Sequence, residues 1–277
     1  MKLVIACSYF DEWRARICAI SAFGFKEASE IEFLVNGSQT SLNKFAKRFG
    51  VALSERIEID YSWGFLKLEL LFSDNGRQRF FVVDADTILL RDFSILENGN
   101  SDFVVDDEGV VTQEFDQLYY PREEVQMKFQ SKQAFPSFAW NTGQWIGTSG
   151  VIDRKEFDGI VDWSGPQRVR STPPFPNNEM GGLNFVVYNA MASGRIELTR
   201  SPLMYYPKPK SEKKLREKYV LHWAGMNESD WLYSLPHASM MWKGKPISLI
   251  LWVHYFILRH YLRRKKLKWQ LFKKSRS

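Results

Sequence analysis

Asp84 and Asp86 are the residues whose type and spacing best suit chemistry. They follow the apolar run Phe80, Phe81, Val82 and Val83, with Ala85 between them. A run that short predicts a buried parallel strand rather than a helix. Along an extended chain, residues two apart point to the same side, so the two carboxylates converge at the strand's end. Two anions held that close repel unless a cation, a proton or a ligand lies between them. Oxygen ligands at the carboxyl end of a strand suit a hard divalent ion that bridges phosphates. The pair is therefore read as holding a metal and, through it, a diphosphate. Far along the chain, His222 ends another apolar run, Tyr219 to Leu221. A neutral imidazole there would complete the ion's shell, although a core histidine bonded to backbone fits the same local sequence.

The elements that must position these groups follow from hydrophobic spacing. Strands are predicted at residues 2–8, 30–36, 55–59, 79–84 and 102–106, with helices at 11–23, 41–49 and 63–75 between them. In the last helix Phe65, Leu68, Leu71 and Phe72 recur on one face. Such alternation builds a parallel sheet covered by helices on both faces, an α/β fold. Its ligand lies beyond the carboxyl ends of the strands, where Ser8, Asp84 and Asp86 fall. In the second half, residues 137–142 and 144–152 read as strands, 153–161 and 177–193 as helices, and 219–223 as a last buried strand. Residues 165–178, rich in proline, serine and threonine, read as a loop or lid over a site.

Residues 82–92, together with Trp140, Asn141, Thr142 and Gly143 and with His222, Trp223, Ala224 and Gly225, resemble the GT-A fold nucleotide-diphospho-sugar transferases. The closest likeness is to the enzymes like glycosyltransferase family 8; it runs over residues 2–246 and implies a Rossmann-like α/β fold with a mixed, mainly parallel sheet flanked by helices. The resemblance implies that Asp84, Asp86 and His222 hold Mn²⁺ or Mg²⁺ on the diphosphate of a nucleotide-sugar donor, a UDP-sugar first. It implies that Asn141 touches the transferred sugar, and it adds Ala85, Gly143, Trp223, Gly225 and Lys243 to the donor-binding set. Ser8 and Tyr9 would flank the nucleoside, though Tyr9 reads equally as a surface aromatic. Lys67 resembles the basic residue that family members place near the nucleotide, and reads equally as a solvated lysine. Asp106 and Asp107, after another strand, are further sugar-contact candidates, with Asp107 among the catalytic ones. Where relatives carry Asp-Gln before Leu-Asn, this chain has Glu179 as its only acid ahead of Leu183 and Asn184. Glu179 then hydrogen-bonds sugar hydroxyls, acts as base on the acceptor, or simply favours a helix dipole from the first turn.

Composition bounds the rest. The chain has 277 residues and a net charge of +6, with two cysteines, Cys7 and Cys18. Neither cysteine has metal-ligand spacing, and the opening apolar run is too short for a signal peptide, so a cytoplasmic setting is expected. No acid follows Asp230, while eleven of the 38 basic residues do, leaving 27 bases against 32 acids and a net −5 before it. Residues 1–246 are expected to form the catalytic domain and 247–277 a basic amphipathic helical tail. That tail mixes Arg and Lys with Trp269, Leu271 and Phe272, the pattern of a helix lying on an anionic membrane surface. A membrane-associated glycan or glycolipid acceptor follows, as in surface polysaccharide or lipopolysaccharide synthesis, and nucleic acid is not an expected partner. Two other functions compete. A haloacid dehalogenase-type phosphatase would use Asp84 as nucleophile and Asp86 as acid/base, but it wants Thr or Val where Ile88 stands and its motif on the first strand. A non-catalytic adaptor leaves Asp84, Asp86, Asn141 and His222 unexplained.

Overall fold

Short apolar runs bounded by polar residues fold as strands here because none is long enough to bury one face of a helix. The computed structural model describes residues 1–37, 40–56, 61–62, 64–72, 76–97, 99–107, 115–129, 138–164, 169–176, 178–205 and 217–223, with 252, 256 and 260. In chain order the first elements are β1 (Lys2–Ser8), α1 (Glu12–Ala22), β2 (Ile31–Asn36), α2 (Thr40–Phe49) and β3 (Ala52–Arg56). A 3-10 helix (Phe65–Phe72), β4 (Arg79–Asp84), β5 (Thr87–Leu89) and β6 (Phe103–Asp106) follow. Then come α3 (Phe115–Leu118), α4 (Arg122–Phe129), β7 (Gln144–Thr148), β8 (Val161–Asp162) and β9 (Arg170–Ser171). The last are α5 (Glu179–Ala192), β10 (Leu198–Ser201), β11 (Met204–Tyr205) and β12 (Val220–His222).

Seven strands form the main sheet in the order β10-β6-β7-β4-β1-β2-β3. Its pairs are parallel except at β7, which runs antiparallel to β4 and β6. Ala6 of β1 lies opposite Asp84 of β4, so Ser8 and the acid pair share the carboxyl edge of the sheet. A separate small sheet, β11-β12-β5, pairs β12 antiparallel to β5 and sets His222 opposite Thr87. Thr87 is the residue after Asp86, so this one pairing carries the imidazole to the acids.

Both faces of the main sheet are covered. On one, Ala15, Cys18 and Ala19 of α1 are small enough to let the helix lie close over Leu3, Ile5 and Phe81. On the other, Val4, Val82 and Trp145 pack with Leu68 of the 3-10 helix and Leu183 of α5. Removing a fully buried ring such as Phe81 costs about 3–5 kcal/mol in lost transfer energy and cavity.

Several elements differ from their sequence reading. Residues 65–72 form a 3-10 helix rather than the α-helix read at 63–75. Its buried Phe65, Leu68 and Leu71 recur every third residue, and a 3-10 helix eclipses such positions. No strand covers 138–142: Gly143 N donates to Asn141 Oδ1 at 2.7 Å, which folds the chain into a turn before β7. The third strand ends at Arg56, so of the segment read as a strand at 55–59 only 55–56 is extended, and 57–59 lie outside the described residues. Strand β7 stops at Thr148, and the helix expected at 153–161 is one 3-10 turn, Arg154–Phe157, followed by β8. The stretch read as a loop or lid contains β9 paired with β8, Val169 bridged to Tyr61, and a buried Phe175. Residues 165–168 and 177 of that stretch lie outside the described residues.

Candidate metal and donor site

The loop after β4 turns within Ala85 and Asp86 and enters β5 at once. Thr87 Oγ1 donates to Asp84 O at 2.8 Å and Trp223 N to Asp86 O at 3.1 Å, so both ends of the turn are fixed. Asp84 N in turn donates to Gly143 O at 2.7 Å, which ties the acid pair to the turn ahead of β7. His222 Nε2 lies 3.2 Å from Asp86 Oδ1 and 3.9 Å from Asp84 Oδ2. One ligand atom from each of Asp84, Asp86 and His222 falls within 4.8 Å of the others. Two carboxylate oxygens and an imidazole nitrogen form a donor set suited to Mn²⁺ or Mg²⁺. His222 Nδ1, buried, has no hydrogen-bond partner among the described residues.

Electrostatics mark the three groups as a unit. Burial raises Asp84, Lys67 pulls it back and Asp86 pushes it up again, so its carboxyl is raised to about 6. Burial also works to raise Asp86, but the His222 imidazole outweighs it and holds that carboxyl below its ordinary value. Burial alone would keep His222 neutral, yet Asp86 and then Asp84 draw its pKa above the usual histidine range. The two carboxylates thus favour positive charge at His222.

Behind Asp84 lies a second, deeper set of charges that local sequence does not disclose. Lys67 is 1% exposed. Its ammonium sits 2.8 Å from Asp84 Oδ1, 2.6 Å from Glu179 Oε1 and 2.9 Å from Thr142 O. Those three acceptors match the three N–H donors a lysine carries. Burial opposes the charge, but Asp84 and Glu179 outweigh it and raise the Lys67 pKa. Glu179 is buried as well, and its Oε1 also accepts from Thr142 Oγ1 at 2.8 Å. Asn178 caps α5 by accepting from Met180 N and Gly181 N, which starts the helix where Glu179 faces this set. Two glycines make room for it. Gly64 has φ +77°, and a Cβ there would lie 1.9 Å from Glu179 Oε2. A Cβ on Gly143 would lie 2.0 Å from His222 Cε1.

The remaining expected residues divide. Asn141 is half-buried beside Gly143, and Ala85 and Trp223 are buried in the turn and after β12. Asp106 is 0% exposed and accepts from Met204 N at 2.8 Å, while Lys218 lies 3.0 Å from Asp107 and 3.9 Å from Asp106. Ser8 Oγ donates to Asp11 Oδ2 at 2.8 Å, and Tyr9 is 59% exposed beyond the end of β1. Gly225 and Lys243 lie outside the described residues. Sequence reasoning missed Thr142 and Asn184. Asn184 accepts from Trp140 N at 3.1 Å and donates to Trp140 O at 3.0 Å, pinning the segment that carries Asn141 to Gly143. A surface depression of about 590 Å³, lined by Phe23, Phe25, Lys26, Glu27, Ala28 and Phe49 among others, shares none of these residues.

Among solved structures the chain is similar to the apo form of WbbM, described as a bifunctional glycosyltransferase. The match has a TM-score of 0.51 at 12% identity, over 91% of this chain and 51% of that one. This chain thus spans about half the length of that relative. It is also similar to LgtC, described as a galactosyltransferase, with a TM-score of 0.45 at 14% identity over 81% and 87% of the two chains. A third similar structure is the glycosyltransferase GlyE of Streptococcus pneumoniae TIGR4, with a TM-score of 0.45 at 13% identity over 87% and 61%. No family model matches the sequence, and no curated relative matches it. The GT-A fold that the three sequence motifs suggested is the fold of this chain.

Proposed function

We propose that this chain is a metal-dependent glycosyltransferase that takes a sugar from a nucleoside diphosphate donor, UDP-sugar first. The observation that carries the reading is the meeting of Asp84 and Asp86 from the end of β4 with His222 from β12. It falls at the carboxyl edge of the sheet in a GT-A fold, where such folds hold their ligands. Asp84, Asp86 and His222 would hold Mn²⁺ or Mg²⁺. When bound, the ion supplies charge neutralisation for the diphosphate that leaves as the sugar–oxygen bond breaks.

The chain's own residues prepare that site. Lys67 holds Asp84 Oδ1, which leaves Oδ2 as the oxygen nearer His222. Glu179 and Thr142 fix Lys67 from behind, so Glu179 acts as a positioning residue within the protein. Asn141 spends its Oδ1 on Gly143 N, leaving its amide nitrogen as the donor end for a sugar hydroxyl. Asp107, 44% exposed and braced by Lys218, is available to a sugar or acceptor, whereas the Asp106 carboxylate belongs to the fold.

Residues 1–246 would form the catalytic domain and 247–277 a peripheral anchor on the cytoplasmic face of a membrane. There the acceptor would be a glycan or glycolipid of surface polysaccharide or lipopolysaccharide synthesis. Support comes from the acid-free, cation-rich sequence after Asp230. The chain is helical at Trp252, Phe256 and His260, where the Trp252 and Phe256 rings lie 5.9 Å apart and face solvent. Among the described residues no helix is long and apolar enough to cross a membrane.

Thermal melting with UDP and Mn²⁺, followed by a donor screen over UDP-, GDP-, CDP- and ADP-sugars, tests the activity. A shift that needs both additives and disappears in Asp86→Ala supports it. A shift with Mg²⁺ and phosphate analogues alone, and none with any nucleotide, would instead support phosphatase chemistry. Deleting residues 247–277 is expected to release the protein from anionic vesicles with donor hydrolysis retained, and unchanged vesicle binding would refute the anchor.

A further inference from the structure

The phosphates of a donor bring more negative charge than one divalent ion cancels beside two carboxylates. Of the basic residues expected near the donor, Lys243 lies outside the described residues, and the three hydrogen-bond donors of Lys67 are met by Asp84, Glu179 and Thr142 inside the protein. A further cation facing the phosphates would help to balance that charge.

Helix α1 supplies one. Cys18 Sγ lies 3.3 Å from Thr87 Oγ1, so that face of α1 rests on the first residue of β5, directly after Asp86. Arg14 is four residues earlier on the same face, about 6 Å nearer the helix start, and helical side chains lean toward that start. Its guanidinium reaches back to the residues that follow β1. There Arg14 Nη1 meets Asp11 Oδ1 at 3.3 Å, and Asp11 also accepts from Ser8 at the carboxyl edge of β1. The Arg14 side chain is 20% exposed, enough to meet a ligand from solvent. Its charge also reaches Asp86, where it adds to the stronger pull of His222 in holding that carboxyl down.

We infer that Arg14 binds the donor's diphosphate. Its planar fork of donors fits two phosphate oxygens, which a point-like lysine charge does not. The inference rests on the donor site proposed above and gives that site its phosphate-binding cation.

Calorimetric titration of the full chain with UDP, UMP and uridine in saturating Mn²⁺ tests it. Arg14→Gln is expected to weaken UDP binding by about 10- to 100-fold, the loss typical of a hydrogen-bonded charged group. UMP, with one phosphate fewer, is expected to lose less, and uridine nothing. Arg14→Lys should recover part of the loss by keeping the charge. Asp11→Asn breaks the ion pair but keeps the guanidinium and the Ser8 acceptor, so it should bind UDP within about threefold of wild type. Wild type that binds UDP with Mn²⁺ while Arg14→Gln binds it equally well overturns the assignment to Arg14 alone. An equal loss for uridine and UDP also overturns it, because that pattern belongs to a local packing defect. A wild type that binds neither UDP nor any other nucleoside diphosphate with Mn²⁺ overturns the donor reading, and this inference with it.

Discussion

Strands β4 and β6 end alike in sequence and differently in chemistry. Each is an apolar run that closes on aspartates, Asp84 and Asp86 in one, Asp106 and Asp107 in the other. The carboxylates after β4 meet His222, while those after β6 meet Lys218, four residues earlier on the same segment. A lysine beside this acid pair offsets part of its charge, and the backbone N–H of Met204 donates to Asp106 Oδ1. An imidazole can instead give up its proton to a metal, so the other pair stays open to a ligand. The acids alone do not make the site; what a distant strand sets against them does.

The largest effect is expected from removing an acid after β4. Asp86→Ala should lower donor hydrolysis by roughly 10³-fold or more, because an ion's charge stabilisation is worth several kcal/mol. Asp107→Ala should bind Mn²⁺ as wild type does, and equal metal loss in both variants would erase the contrast between the two strands. Next comes the buried ion pair behind Asp84. Glu179→Ala leaves Lys67 short of a partner in the interior and should cost about 3–5 kcal/mol in urea unfolding. A loss of under 1 kcal/mol would mean that Lys67 and Glu179 do not meet as described. Asp106→Ala deprives Met204 N of its acceptor and should cost about 1–3 kcal/mol, with Mn²⁺ affinity unchanged.

The smallest effect is one of pH, and its sign differs among the groups of the site. Asp84 is raised to about 6 and His222 is raised as well, so in metal-free protein both contribute stability at low pH. That contribution is lost as pH rises through about 6 for Asp84 and above the ordinary histidine value for His222. Asp86, whose carboxyl is lowered, contributes in the opposite sense and loses its share as pH falls below the usual carboxylate range. Mn²⁺ must displace the protons on Asp84 and His222, so its affinity should fall as pH drops from 7.5 to 5.5. Calorimetric titration at several pH values checks this, and a flat profile would contradict the protonation described here.

Much of the fold was legible because β1, β2, β4 and β6 are apolar runs with sharp polar boundaries. Strands β10 and β11 and the switch of β5 into a second sheet were not. β10 has a single apolar residue, Leu198, because it lies at the edge of the sheet, and β5 is too short to carry a period of its own. In the site, Asp84, Asp86 and His222 were legible from residue type and from the strands that precede them. Lys67 was visible, but its reading as a solvated lysine fails: it is buried here because two carboxylates from elsewhere in the chain meet it. Thr142 and Asn184 act through hydrogen bonds to partners 37 and 44 residues away, which leave no local pattern.

Electron spin-echo spectroscopy of bound Mn²⁺, recorded with UDP, tests most directly whether the aspartates and His222 share one ion. Nitrogen modulation from a coordinated imidazole is expected in wild type, lost in His222→Gln and kept in Asp107→Ala. Modulation that survives His222→Gln, or is absent from wild type with Mn²⁺ bound, would contradict the account.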